Sequence, residues 1–285
     1  MASLFKECVH TASIRSFYNH YQKHFSVVEA HTDELKEQAY KLRYEVFCEE
    51  NGHKLFTDTP EGLEMDAYDE RARHFLLIYI PTGEVAGTVR VVIPGQEKSL
   101  FSIPLQELCD HPMLFNPRLI GGVCEISRLC MSKKFRSREG DGSVLPGYTQ
   151  RQEGYAAVEE GFAYLRRSIP YAPVGLIRAA LWAVLDNKSL NCVMAADPAD
   201  FESLKILGMD YRVLGPKLKY YGDMLPIVFN AKYFMDNMKV VNPACWEVVS
   251  DRGDLSEQAN RIASTVWYDT IFDDRTKEQI LQQIL

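Results

Sequence analysis

One acid and one base, Glu125 and Arg128, stand inside the apolar run Val123-Cys124-Glu125-Ile126-Ser127-Arg128-Leu129-Cys130-Met131. A charge in a buried strand is costly unless it is paired or hydrogen-bonded. Side chains of a regular strand alternate, which would send these two to opposite faces. A β-bulge would bring both into one cleft, and bulges are common beside active sites. The run is therefore read as a catalytic strand; a structural ion pair is the plainer alternative. A second set of chemically able residues lies upstream. Arg43 and Phe47 are one helical turn apart and address one ligand or partner together. Asp66 and Asp69 are also one turn apart, a spacing that suits a single cation or an arginine. No histidine or third acid is read as completing a metal set here, so they are expected to pair with Arg43 and Arg90, and no metal is expected.

These residues need a scaffold. Thr32 caps a helix with Asp33 and Glu34 in its first turn, where the dipole favours acids. It runs to about Glu50, and Leu35, Ala39, Leu42 and Val46 form the stripe that packs on a sheet. Residues 26–30, 74–80, 84–93, 123–131, 191–196, 211–214 and 224–230 read as strands, with a turn at Pro81-Thr82-Gly83 joining the second and third. An apolar helix covers 174–187, where ordinary core packing competes with lining an acyl tunnel. A helix from 198 to 207 ends at Gly208, and the last 45 residues read as two or three amphipathic helices around Trp246 and Trp267. Strands mixed with helices give an α/β (α+β) fold, without a Walker A motif, a Gly-x-Gly-x-x-Gly fingerprint or a Gly-x-Ser-x-Gly elbow. Three stretches result: an arm over 1–26, a main domain over 27–240 with an insertion at about 143–173, and a helical extension over 241–285.

Composition excludes several classes. The 285 residues are 46% hydrophobic, enough for a full core, and the net charge of −7 argues against a general nucleic-acid binder. No apolar run reaches about 18 residues, so no membrane span is expected. The opening MASLFKECVH lacks the apolar segment of a secretory signal, which makes the cytoplasm the expected compartment. Seven scattered cysteines with no Cys-x-x-Cys pair suggest reduced thiols, and Cys124 and Cys130 are read as small core residues rather than nucleophiles. All seven histidines lie at or before His111, so proton transfer further along falls to other groups. A short glycine-rich turn, Gly140-Asp141-Gly142, is a weak phosphate signal.

Four motifs in order carry a resemblance: Arg43-Tyr44-Glu45-Val46-Phe47, Asp66-x-x-Asp69, Gly87-Thr88-Val89-Arg90 and Glu125-Ile126-Ser127-Arg128. Over roughly residues 27–232 the chain resembles the autoinducer (acyl-homoserine-lactone) synthases. It looks still more like the long-chain N-acyl amino acid synthases and the PEP-CTERM/exosortase-associated acyltransferases, which share the wording Leu-Arg-Tyr-Glu-Val-Phe-Cys-Glu-Glu at 42–50. The resemblance implies a GNAT-like fold, a splayed and mostly antiparallel sheet of about seven strands flanked by helices. It implies transfer of a long-chain fatty acyl group from acyl carrier protein to the amine of an amino acid or similar small amine. By motif, Glu125 is the catalytic position, while Arg43, Phe47, Asp66, Asp69, Arg90 and Arg128 hold the substrate. The family's usual tryptophan after the phenylalanine is missing, with His53 near that point, so the acceptor stays open.

The implied donor is the 4'-phosphopantetheine thioester of the carrier, or acyl-CoA, with no tightly bound cofactor. Backbone N–H groups around Leu129, Cys130 and Met131 would hold the thioester oxygen. Carrier proteins are acidic, so the basic cluster Lys133, Lys134, Arg136 and Arg138 is the expected docking patch. Two alternatives remain open at this stage: autoinducer synthesis from S-adenosylmethionine, and a non-catalytic module that binds the acyl carrier.

Overall fold

Alternating apolar residues between 25 and 92 build three successive antiparallel strands: β1 (Phe25–Glu29), β2 (Ala72–Tyr79) and β3 (Glu84–Val92). The computed structural model describes residues 17–50, 62–95, 102–117, 119–135 and 172–262. The sheet continues through β4 (Val123–Met131), β5 (Asn191–Ala196), β6 (Tyr211–Val213), β7 (Leu218–Tyr220) and β8 (Gly222–Asn230). Strand order is β1-β2-β3-β4-β5-β8-β6, with β7 paired to β8. Every pairing is antiparallel except β4 with β5. The expected mostly antiparallel, GNAT-like sheet is thus present, with eight strands among the described residues where about seven were expected, β7 being the addition.

One parallel pairing shapes the molecule. β4 and β5 pair only over Val123, Cys124 and Glu125 against Asn191, Cys192 and Val193. From Ile126 onward no β4 residue pairs with β5, so the sheet forks beside Glu125.

The two faces are covered differently. On one lies α2 (Pro173–Asp186), whose Leu176, Leu181 and Leu185 are fully buried over Phe75, Leu77, Val89 and Val91. Burying each such leucine is worth about 1.5–3 kcal/mol. Ordinary core packing, as a helix so apolar suggests, is the role observed. α4 (Ala231–Val241), α5 (Pro243–Val249) and α6 (Asp254–Arg261) close the same side, and their Met238, Cys245, Val248 and Leu255 share that core. Asn230 and Asn242 cap α4 and α5 through their side-chain oxygens. Trp267 and the insertion at 143–173, apart from Ala172 and Pro173, lie outside the described residues. α3 (Phe201–Ile206) ends at Gly208, whose φ of +86° suits glycine. No helix among the described residues is long and apolar enough to cross a membrane.

The opposite face carries α1 (Asp33–Arg43), capped by Thr32 as expected. The helix does not stay α-helical to Glu50: Tyr44–Glu50 is a π-helical turn. Glu49 and Glu50 place negative charge at its C-terminal end, where the dipole disfavours it, and single π-turns recur at functional sites. Three short 3-10 turns between β3 and β4, at Pro104–Glu107, Pro112–Phe115 and Ile120–Gly122, cover the rest of this face.

Gly87 lets β3 and β4 approach. It pairs with Met131, and a Cβ there would stand 2.9 Å from the Cys130 carbonyl oxygen, which is backbone and yields only if β4 moves. Gly87→Ala is expected to cost about 1–3 kcal/mol, read as a lower urea midpoint at unchanged m.

Candidate active site

The register of β3 on β4 creates the site. Thr88 pairs with Cys130 and Arg90 with Ser127, so two residues of β4, Arg128 and Leu129, oppose the single Val89. This is the β-bulge expected from sequence. Arg128 sits at its centre with φ of +54°, in the left-handed region. The extra residue turns Arg128 onto the face that bears Glu125 and Ser127.

Three arginines and three acids then interlock. Arg43 donates two hydrogen bonds to Asp69, at 2.8 and 3.1 Å, and a third through Nε to Glu64. Arg90 donates from Nη1 to Asp66 at 2.6 Å and Asp69 at 2.9 Å, and from Nε to the Ser127 hydroxyl at 3.0 Å. Arg128 reaches Glu64 and Asp66 at 3.0 Å each, and the hydroxyls of Tyr220 and Tyr221 at 2.8 and 3.1 Å. Tyr221 in turn donates to Glu64 at 2.8 Å. Asp66 also accepts from the Tyr68 backbone N–H, which ties the loop over the cluster. Side chains of Arg43, Glu64, Asp69, Arg90 and Arg128 are 0–3% exposed; Asp66, at 16%, is where the network meets solvent.

Glu125 lies on the same face, opposite Val92 and diagonal to Arg90. One carboxylate oxygen, Oε2, accepts from the Leu105 N–H at 2.7 Å. That donor is held rigidly: Gln106 Oε1 accepts from the N–H groups of Ser102 and Ile103 at 2.6 and 3.0 Å, while Gln106 Nε2 donates to the Leu114 carbonyl at 2.6 Å. Burial pushes the Glu125 carboxyl up to about 7, despite the opposing pull of the Leu105 N–H, Arg90 and Arg128. A carboxyl that ionises near neutrality can accept a proton from an amine and return it. Burial alone would also raise Asp69 and Glu64, but Arg43, with Arg90 and Arg128 respectively, holds both below the usual carboxylate range. Burial drives His74, on β2 beneath the cluster, down to about 4.

The structure therefore brings together Arg43, Asp66, Asp69, Arg90, Arg128 and Glu125. Phe47 stands at the rim, its ring centroid 5.1 Å from that of Tyr221. Cys130 packs on Leu42 and Val46, Met131 enters the core under α2, and Leu129 is exposed. Cys124 faces the other side of the sheet, where burial raises its thiol to about 11, consistent with a core residue. Lys133 and Lys134 form the turn after β4, with Lys134 paired to Glu84; Arg136 and Arg138 lie outside the described residues, as does Gly140 to Gly142. Asp66 and Asp69 pair with Arg43 and Arg90 as expected: Arg43 takes Asp69, Arg90 takes both, and Glu64 and Arg128 join the network. Glu64 is the third acid, visible as the start of Glu64-x-Asp66-x-x-Asp69 but not recognised as such. Tyr220 and Tyr221, about ninety positions away, left no local signal.

The sheet is GNAT-like, and it forks beside a buried carboxyl that ionises near neutrality. Residues 42–144, a span that includes β4, match the family model described as the acetyltransferase (GNAT) domain. Compared by sequence with curated proteins, the chain matches none. Among solved structures it is similar to the AHL synthase LasI at 17% identity and TM-score 0.49, over 77% of this chain and 95% of that one. The CoA-dependent acyl-homoserine lactone synthase BjaI, with SAM and isopentyl-CoA, gives 17% and 0.49 over 83% and 98%. FeeM, an N-acyl amino acid synthase from uncultured soil microbes, gives 13% and 0.47 over 75% and 93%.

Two variants test these electrostatics. Glu64→Ala takes from Arg43 and Arg128 one of the two carboxylates each meets and is expected to cost roughly 3–5 kcal/mol in chemical denaturation. The pH dependence carries opposing signs. Glu64 and Asp69 give stability that is present above the ordinary carboxylate range and lost as pH falls through their lowered values, and His74 adds a loss as pH falls from 6.5 toward about 4. Glu125, raised from 4.5 to about 7, contributes fully below 4.5 and loses that contribution as pH rises through 7. Glu125→Gln, which cannot ionise, is expected to abolish this last decline when urea midpoints are compared at pH 5 and above pH 7.

Proposed function

We propose that this protein is an N-acyltransferase. It moves a long-chain fatty acyl group from the 4'-phosphopantetheine thioester of an acyl carrier protein to the amine of an amino acid or similar small amine. The observation that carries this reading is Glu125: buried at the fork of β4 and β5, ionising near 7, with one oxygen fixed by the Leu105 N–H. The four ordered motifs, whose Arg43, Asp66, Asp69, Arg90 and Arg128 interlock on the face that bears Glu125, support the same reading.

In this mechanism the pantetheine arm enters where β4 parts from β5, which sets the thioester beside Glu125. Glu125 takes a proton from the acceptor ammonium, and the freed amine attacks the thioester carbonyl. Backbone N–H groups of Leu129 to Met131 hold the oxyanion; one such donor is typically worth about 3 kcal/mol. The C–S bond then breaks, and the carrier thiol leaves with a proton. Arg43, Arg90 and Arg128, locked to Glu64, Asp66 and Asp69, keep the loop that includes Phe47's neighbours closed over the acceptor. Lys133, Lys134, Arg136 and Arg138 meet the acidic carrier. The reaction needs no metal, and the cytoplasm is where such carriers would be met.

Purified protein given palmitoyl-carrier protein and pooled amines is expected to yield N-acyl products by mass spectrometry; an acyl-homoserine lactone, or none, would replace this reading. Glu125→Gln is expected to lower kcat/KM by about 10²–10⁴-fold. The wild-type kcat/KM should fall on the acid side with an apparent pKa near 7. Gln106→Leu, which loosens the turn behind the Leu105 N–H, should move that limb to higher pH.

A further inference from the structure

Acyl transfer to an ammonium leaves a proton over. R–NH3+ and the thioester R'CO–SR" give the amide R–NH–CO–R', the thiol HS–R" and one H+. The N–C bond forms, the C–S bond breaks, and its electron pair leaves on sulfur. Of the two protons that nitrogen sheds, one ends on that sulfur and the other on Glu125. Glu125 must lose this proton before it can act again. It is 4% exposed, and in this reaction the fork beside it is filled by the reactants.

A path leads out on the other side. Tyr68 shares a buried cluster with Val92, Val123 and Leu105. Val92 stands opposite Glu125, Val123 lies two residues before it on β4, and Leu105 gives it a backbone N–H. The Tyr68 hydroxyl donates to Oε1 of Glu107 at 2.5 Å, and Glu107 is exposed. Tyr68 is held in place: its backbone N–H donates to Asp66 at 2.9 Å, and the Arg71 guanidinium lies 4.9 Å from its ring centre. Burial raises the phenol, the Glu107 and Glu125 carboxylates add to the rise, and Arg71 opposes it. The hydroxyl therefore stays protonated. A hydroxyl both donates and accepts, so it relays a proton by taking one on oxygen as it gives up its own.

We infer that Tyr68 and Glu107 form the exit through which Glu125 returns its proton to solvent. This rests on the N-acyltransferase reading and adds the step that resets its base. The Glu125 proton passes to the Tyr68 oxygen, directly or across one water. The phenol hands its own proton to Glu107, and Glu107 releases it to bulk water. Tyr68 ends neutral, with Glu107 and Glu125 both ionised, so the pair is ready for the next turnover. The competing role is a plain latch, because the same hydrogen bond ties the loop of Glu64, Asp66 and Asp69 to the turn that carries Leu105. Glu107→Gln separates the two roles: its amide oxygen still accepts from Tyr68 but takes up no proton.

Thiol and proton release are followed with time for the wild-type chain, Glu107→Gln and Tyr68→Phe, using palmitoyl-carrier protein and the amine that the wild type acylates best. Both variants should slow later turnovers far more than the first, so that a burst of thiol precedes a steady-state kcat lowered by about 10²-fold. Imidazole, added at fixed pH and ionic strength, should restore both in proportion to its concentration and leave the wild type as it was. Glu107→Gln with the wild-type kcat would overturn the exit. So would variants slowed equally in every turnover and indifferent to imidazole, which is how a latch behaves. Should Tyr68→Phe not fold, the exposed Glu107→Gln alone decides. A wild-type chain that acylates no amine would overturn the N-acyltransferase reading, and this step with it.

Discussion

Arg128 occupies a left-handed backbone conformation that a non-glycine residue holds only at a cost of about 1–3 kcal/mol. It is held there from four sides. Glu64 and Asp66 neutralise its guanidinium, and Tyr220 and Tyr221 accept hydrogen bonds from it, with the ring of Tyr221 4.6 Å beneath its central carbon. These contacts come from a loop sixty residues upstream and a hairpin ninety residues downstream. Release of Arg128 would remove the bulge, and with it the shared face on which Glu125, Arg90 and Arg128 work.

The charge balance around it explains how so many ionised groups tolerate burial. Three guanidiniums meet three carboxylates, and Glu64, Asp66 and Asp69 each serve two arginines. Arginine's planar fork suits this sharing, because it offers several fixed donors to carboxylates at once. Glu125 stands apart from that exchange. No arginine bonds to it among the described residues, so burial wins over attraction and its carboxyl rises while those of Glu64 and Asp69 fall. One cluster thus holds structural carboxylates that stay ionised and a single carboxyl poised to titrate, the separation by environment that acid–base chemistry requires.

The fork supplies the other half of the site. β4 is paired with β3 on both sides of the bulge, yet leaves β5 just after Glu125. The apolar layer under α2 keeps the two diverging strands in one sheet: Ile126 and Met131 from β4 and Cys192 from β5 share its core.

Much of this was legible in the chain itself. Apolar alternation marks β2 and β3, the Thr32 cap marks α1, and an acid and a base inside one apolar strand predict a bulge, because local steric and solvation rules act within a few residues. Asp66 and Asp69 one turn apart likewise announce arginine partners. Which arginine takes which acid was not local information: Glu64 is one carboxylate among many until folding sets it between Arg43 and Arg128. Tyr220 and Tyr221, the Leu105 N–H and its Gln106 brace carry no sequence period at all. Their roles arise because strands distant in the chain become neighbours in the sheet, and hydrogen bonds of about 3 Å depend on that proximity rather than on order. The sequence by itself determined the kinds of group available and the strand that presents them. The tertiary structure decided which were neutralised, which was left to titrate, and where the sheet opens, since burial and pairing are properties of the folded interior.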